Sequence, residues 1–138
     1  MEAPGHGGHA KFPINWTATY RRDATIVTPY EKFVPFSDEK QKEARKEFEG
    51  RNWLGSKRKM AAWFVSNCGT RNGREMYVAE LRKYLDVDMY GRCGSLRCPR
   101  SYQGCFDMLK TDYKFYLAFE NSNCKDYITE KLYWNAYK

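Results

Sequence analysis

The six residues Met60 to Val65, MAAWFV, are the longest wholly apolar run in the chain and constrain its fold more than any other stretch. An unbroken apolar segment of this kind, closed by Ser66 and Asn67, fits a strand covered on both faces, because one-sided burial would give alternation instead. The residues that follow complete a βαβ unit. Cys68 to Gly73 has the chemistry of a turn, and Arg74 to Leu85 places Tyr77, Val78, Leu81, Tyr84 and Leu85 on one helical stripe. Val87 to Tyr90 is again strand-like and stops at Gly91. A unit of this type takes about 30 residues and pairs its strands in parallel.

A second unit follows. Arg92 to Tyr102 reads as a Cys-rich loop, Gln103 to Thr111 as a short helix, and Tyr113 to Glu120 as a third strand carried by alternating aromatic residues. Glu120 to Asp126 is a polar loop. From Tyr127 onward, Ile128, Leu132 and Ala136 recur at helical spacing, which puts Thr129, Glu130 and Lys131 in the first turn of a terminal helix. Upstream, Ile26 to Tyr30 predicts a short strand stopped by Pro29. Ser37 to Arg51, with acids in its first turn and few apolar positions, predicts an exposed helix N-capped by Ser37. Strands alternating with helices predict an α/β fold, half of a Rossmann-like domain.

In such a sheet the carboxyl ends of the strands and the amino ends of the next helices form the mouth of a ligand site, since free backbone N–H groups point there. Ser66, Asn67 and Arg74 fall at that edge after the first strand, and Asn121, Glu130 and Lys131 one unit later. Two cations there suit a pyrophosphate, and a carboxylate can accept hydrogen bonds from two adjacent ribose hydroxyls. Neither G-x-G-x-x-G nor G-x-x-x-x-G-K-[ST] occurs, so the ligand is not held by either of those loops. Asp86-Val87-Asp88 has the form of a metal-binding D-x-D but straddles a strand start, and we read it as structural.

The chain has 138 residues, enough for one domain, with a net charge of +7 and 17% aromatic residues, so its partners should be anionic. Nucleotides, nucleic acids and anionic membranes all qualify. Lys57-Arg58-Lys59 reads as a solvated strand entry, and nucleic-acid binding would need more such clusters. No apolar run approaches the ~20 residues of a spanning helix, and Met1 to Ala10 has no secretory character, so these features alone describe a soluble cytosolic chain. The cysteines at 68, 93, 98, 105 and 124 argue against that compartment. Their spacing suits zinc poorly, and the two histidines, His6 and His9, lie far away in a Gly-rich start. Disulfides are the better use, with the odd cysteine unpaired or paired with something outside this chain, and reduced buried cysteines as the alternative.

Longer motifs carry a resemblance. The stretch FENSNCKDYITEKLYWNA (119–136) resembles the signature of the α1,3-fucosyltransferases, which move fucose from GDP-fucose to sugar acceptors. Asn15-Trp16-Thr17-Ala18-Thr19-Tyr20-Arg21-Arg22-Asp23 is similar to the family's N-W-T-x-x-Y-R-x-D-S-D, with Ala24 and Thr25 replacing the final pair. Glu2-Ala3-Pro4-Gly5-His6 resembles its E-S-P-x-H, and Pro29-Tyr30 its P-Y. Asn15-Trp16-Thr17 is also an N-glycosylation sequon.

The resemblance implies the Rossmann-like donor-binding domain of a two-domain GT-B glycosyltransferase, incomplete at both ends. Residues 1–36 would close the acceptor side and carry the catalytic base, and residues 37–138 would be the partial GDP-fucose-binding domain. Glu2 would be the base toward the 3-hydroxyl of an N-acetylglucosamine, with inversion at fucose. Arg74 and Lys131 would face the diphosphate and Glu130 the ribose, while Tyr30, Ser66, Asn67, Tyr116, Asn121 and Tyr127 would line the pocket. No metal would be obligatory, although a divalent ion could stimulate. The partners would be GDP-fucose and a glycan or glycoprotein, and no nucleic acid. The setting would be the Golgi lumen, with a membrane anchor only in a longer protein. A catalytically inactive nucleotide-binding fragment is the alternative, and a basic nucleic-acid-binding module a more distant one.

Overall fold

Alternate residues of one central strand feed two cores. The computed structural model describes residues 15–99 and 104–136. Its elements run β1 (Ala18–Thr19), β2 (Ile26–Val27), α1 (Asp38–Phe48), β3 (Lys59–Phe64), α2 (Arg74–Leu81), β4 (Val87–Tyr90), α3 (Gly104–Asp112), β5 (Tyr113–Tyr116) and a π-helical turn, Lys131–Ala136. β3 pairs in parallel with β4 (Ala61 opposite Val87) and with β5 (Ala61 opposite Phe115), giving the order β4-β3-β5. Ala61, Trp63 and Val65 pack with Val78 of α2, whereas Ala62 packs with Tyr90, Leu109 of α3 and Tyr113. The apolar run is therefore buried on both faces, as its sequence predicts, with α2 on one face and α3 on the other.

The predicted elements are all present, several with different bounds: β2 ends at Val27 rather than Tyr30, and β5 at Tyr116 rather than Glu120. α2 stops at Leu81 because Lys83 and Tyr84 bond three residues back, to Glu80 and Leu81, which tightens the last turn. Tyr84 at 78% and Tyr77 at 60% exposed leave the predicted stripe, while Val78 at 1% anchors it. Ser37 precedes α1 as expected, but its hydroxyl makes no cap bond; Gln41 instead donates to the Phe36 carbonyl at 2.8 Å. No residue of α1 is buried. The terminal helix is the main correction. Tyr127 and Ile128 lie outside it; of the three residues placed in its first turn, Glu130 is helical and Lys131 opens the π-helical turn, while Thr129 precedes both. Asp126 adopts a left-handed backbone (φ 61°) that turns the chain first, and the Thr129 N–H is taken by a carboxylate upstream.

At the amino edge of the sheet, Asp88 accepts from Lys59 (3.2 Å) and from the Tyr113 hydroxyl, which in turn meets the Tyr90 hydroxyl at 2.7 Å. Asp88 thus has a structural ion-pair role, as read from the sequence. Two disulfides close the loop between β4 and α3 onto its neighbours, Cys68 with Cys93 and Cys98 with Cys105, and Cys124 remains a thiol. Among the described residues no helix is long and apolar enough to cross a membrane.

Candidate functional site at the carboxyl edge of the sheet

The chain leaves β3 toward β4 on one side and returns through α3 to β5 on the other, so the order reverses at β3. Connections that leave adjacent parallel strands for opposite faces open a crevice between them. Here the loop after β3 leads to α2, while Asn135 of the π-helical turn donates to the Tyr116 hydroxyl (3.1 Å), on the side of the α3 core.

Arg74 ties the two connections together. Its side chain is 5% exposed, and its guanidinium donates to the carbonyls of Asn67 (2.7 Å) and Phe119 (3.0 Å) and to Glu75 (3.3 Å) while lying over the Trp63 ring. Two of its five N–H groups have no partner among the described residues. Asn72 adds a second tie, from its amide to the Glu120 carbonyl at 2.8 Å. Ser66 and Asn67 are exposed beside it, and Ser66 accepts from Arg92 through both its carbonyl (2.9 Å) and its hydroxyl (3.4 Å). The disulfide from Cys68 to Cys93 fixes the same loop.

Across the crevice, Lys131 stands between two carboxylates. Its ammonium reaches Glu120 at 3.0 Å, Glu130 at 3.1 Å and the Thr129 hydroxyl at 2.9 Å. Glu120 also accepts the backbone N–H and the hydroxyl of Thr129, a residue 1% exposed. Burial pushes the Lys131 ammonium down, but the bonds to Glu120 and Glu130 outweigh it and leave the group above its ordinary value. Burial pushes the Glu130 carboxyl up, and the bonds from Lys131 and Thr129 more than reverse that. Tyr116 and Tyr127 are both raised, chiefly by burial.

The segment 15–31 closes one side. Tyr127 meets the Tyr20 ring at 5.0 Å and the Tyr30 ring at 6.5 Å, the Arg22 backbone N–H donates to Asp126 at 3.2 Å, and Trp134 donates to Glu31 at 2.8 Å. Arg21 and Asp23 of the predicted motif form a mutual pair at 2.6 Å. The site residues predicted from sequence therefore form two groups, Ser66, Asn67 and Arg74 after β3, and Tyr116, Tyr127, Glu130 and Lys131 at and after the end of β5, joined by Tyr30 of the 15–31 segment through Tyr127. Asn121 is half-buried beside Glu120. Asn15 is exposed beside β1, outside both groups. Glu2, the predicted base, lies outside the described residues, as do His6 and His9. Glu120, Thr129 and Asn72 escaped the sequence reading; only the run of polar residues from Glu120 marked the place.

A groove of about 490 Å³ opens at the opposite, amino edge, lined by Arg58, Lys59, Arg82, Asp86, Asp88 and Tyr113 among others. Its central charges are already paired, Lys59 with Asp88, and it is remote from the crevice. Among the described residues, no three His, Cys, Asp or Glu side chains stand where they could share a metal ion.

The profile of "Glycosyltransferase family 10 (fucosyltransferase) C-term" matches residues 54–138. Glycoprotein 3-alpha-L-fucosyltransferase A of Drosophila melanogaster is 56% identical over 99% of this chain and 27% of its own length. Alpha-(1,3)-fucosyltransferase fut-1 of Caenorhabditis elegans is 42% identical over 100% of this chain and 32% of its own. For alpha-(1,3)-fucosyltransferase 7 of Rattus norvegicus the values are 39%, 99% and 34%. The chain thus spans about a quarter to a third of the relatives it matches, and the matched profile covers more than half of the chain. By that profile match, the chain belongs to glycosyltransferase family 10, the fucosyltransferases.

Proposed function

We propose that this chain carries the GDP-fucose-binding part of an α1,3-fucosyltransferase with a GT-B, Rossmann-like donor domain over residues 37–138. Residues 1–36 are the end of the acceptor side. The observation that carries the proposal is the gathering of Tyr30, Tyr116, Tyr127, Glu130 and Lys131 at the carboxyl edge, where the strand order reverses. Lys131 and the two unpartnered N–H groups of Arg74 face the diphosphate and stabilise the charge that grows on departing GDP. Glu130 accepts from the ribose hydroxyls, and Ser66, Asn67, Asn121 and the three tyrosines line the donor pocket. With two cations supplying the electrostatics, the reaction has no obligatory metal, and a divalent ion acts at most as a stimulant.

Glu2 removes the proton of the 3-hydroxyl of N-acetylglucosamine as that oxygen attacks the anomeric carbon of fucose from the side opposite GDP. The β-linked donor becomes an α-linked product, with inversion. The acceptor is a glycan or glycoprotein, and the working compartment is the Golgi lumen, which agrees with the two disulfides and the exposed sequon at Asn15. The test is transfer itself. GDP-fucose and an N-acetylglucosamine-terminated glycan are incubated with the protein, and the linkage is read by NMR. An α1,3-linked product lost in Glu2→Gln supports the proposal; a β-linked product, or full activity in Glu2→Gln, contradicts it.

A further inference from the structure

Lys131 has three N–H donors and three acceptors around it, and these partners are not equivalent. Thr129 is 1% exposed and the Glu120 side chain 15%, and they bind each other through the Thr129 N–H (2.7 Å) and hydroxyl (2.8 Å). Glu130 is 41% exposed and holds Lys131 through a single 3.1 Å contact. One ammonium between two carboxylates leaves the cluster with a net charge of −1, which would repel an incoming diphosphate.

We propose that Glu130 and Lys131 form an exchangeable latch: Glu120 and Thr129 hold the ammonium in place, and an entering diphosphate displaces the Glu130 carboxylate, which is thereby freed to accept hydrogen bonds from a vicinal diol. The inference rests on reading this edge as a nucleoside diphosphate site. Glu130 is the partner that leaves, because it is the exposed one and because losing Glu120 would strand the buried Thr129 N–H. Recognition of the two halves of the nucleotide is then coupled, since phosphate binding supplies the free carboxylate that the ribose needs.

The coupling is read by calorimetry with pyrophosphate, guanosine and GDP on the wild-type chain and on Glu130→Gln. This substitution removes the competing charge at a half-exposed position and leaves the Glu120–Thr129 cradle intact. The expected result has opposite signs. Pyrophosphate binds roughly two- to fivefold tighter to Glu130→Gln, the range of a partly exposed ion pair, while GDP binds more weakly. Saturating pyrophosphate strengthens guanosine binding to wild type and not to Glu130→Gln. Pyrophosphate affinity that is unchanged or lowered in Glu130→Gln, with GDP still bound by wild type, overturns the latch alone. Failure of wild type to bind GDP or pyrophosphate overturns the latch together with the nucleotide reading beneath it.

Discussion

The Glu120 carboxylate accepts the backbone N–H of Thr129 at 2.7 Å and thereby fills the anion seat at the start of the terminal helical turn. The same carboxylate takes the Thr129 hydroxyl and the Lys131 ammonium. Glu120→Ala leaves the buried Thr129 N–H unsatisfied and removes one of the two carboxylates that hold Lys131, and should cost about 1–3 kcal/mol of stability. Glu120→Gln keeps an acceptor and should cost less. Urea unfolding of the two variants beside wild type checks the order.

Arg74 bridges the carbonyls of Asn67 and Phe119, which belong to the connections after β3 and β5. A lysine offers one point of charge where the planar fork reaches both, so Arg74→Lys is not conservative here. We expect Arg74→Lys and Arg74→Ala both to lose about 1–3 kcal/mol and to loosen amide protection at Leu117 to Glu120 in hydrogen exchange. Equal protection in wild type and Arg74→Ala would contradict the bridge.

Acid should act on the same region through Glu75. Burial pushes its carboxyl up, but the Thr70 hydroxyl, backbone N–H groups and Arg74 outweigh it and hold it at about 2. A carboxyl depressed on folding contributes stability that is complete above its unfolded value of 4.5 and is lost as pH falls through 2. The melting temperature should therefore fall between pH 4.5 and 2, and Glu75→Gln should flatten that part of the profile.

The sheet was legible because burial leaves a local imprint. MAAWFV has no polar residue to turn outward, and β4 is found over the residues predicted for it. Placement of Arg74, Glu130 and Lys131 at the carboxyl edge followed from the same βαβ logic. The ties across the crevice were not legible, since they join residues far apart in sequence: Arg74 to Phe119 over 45 positions, Asn72 to Glu120 over 48, Trp134 to Glu31 over 103. Nothing local to Glu120 distinguishes a helix-capping carboxylate from a solvated one. The apolar spacing of Ile128, Leu132 and Ala136 likewise carried no sign of the turn at Asp126, whose backbone sets where the helix begins.

The crevice where the strand order reverses is proposed to bind a guanosine diphosphate. Titration of this chain with GDP and with UDP, by calorimetry and tryptophan fluorescence on wild type and Lys131→Ala, tests it most directly. Saturable GDP binding that UDP does not reproduce and Lys131→Ala weakens is the expected result. A folded chain that ignores GDP, or binds it equally well without the Lys131 ammonium, would contradict the account.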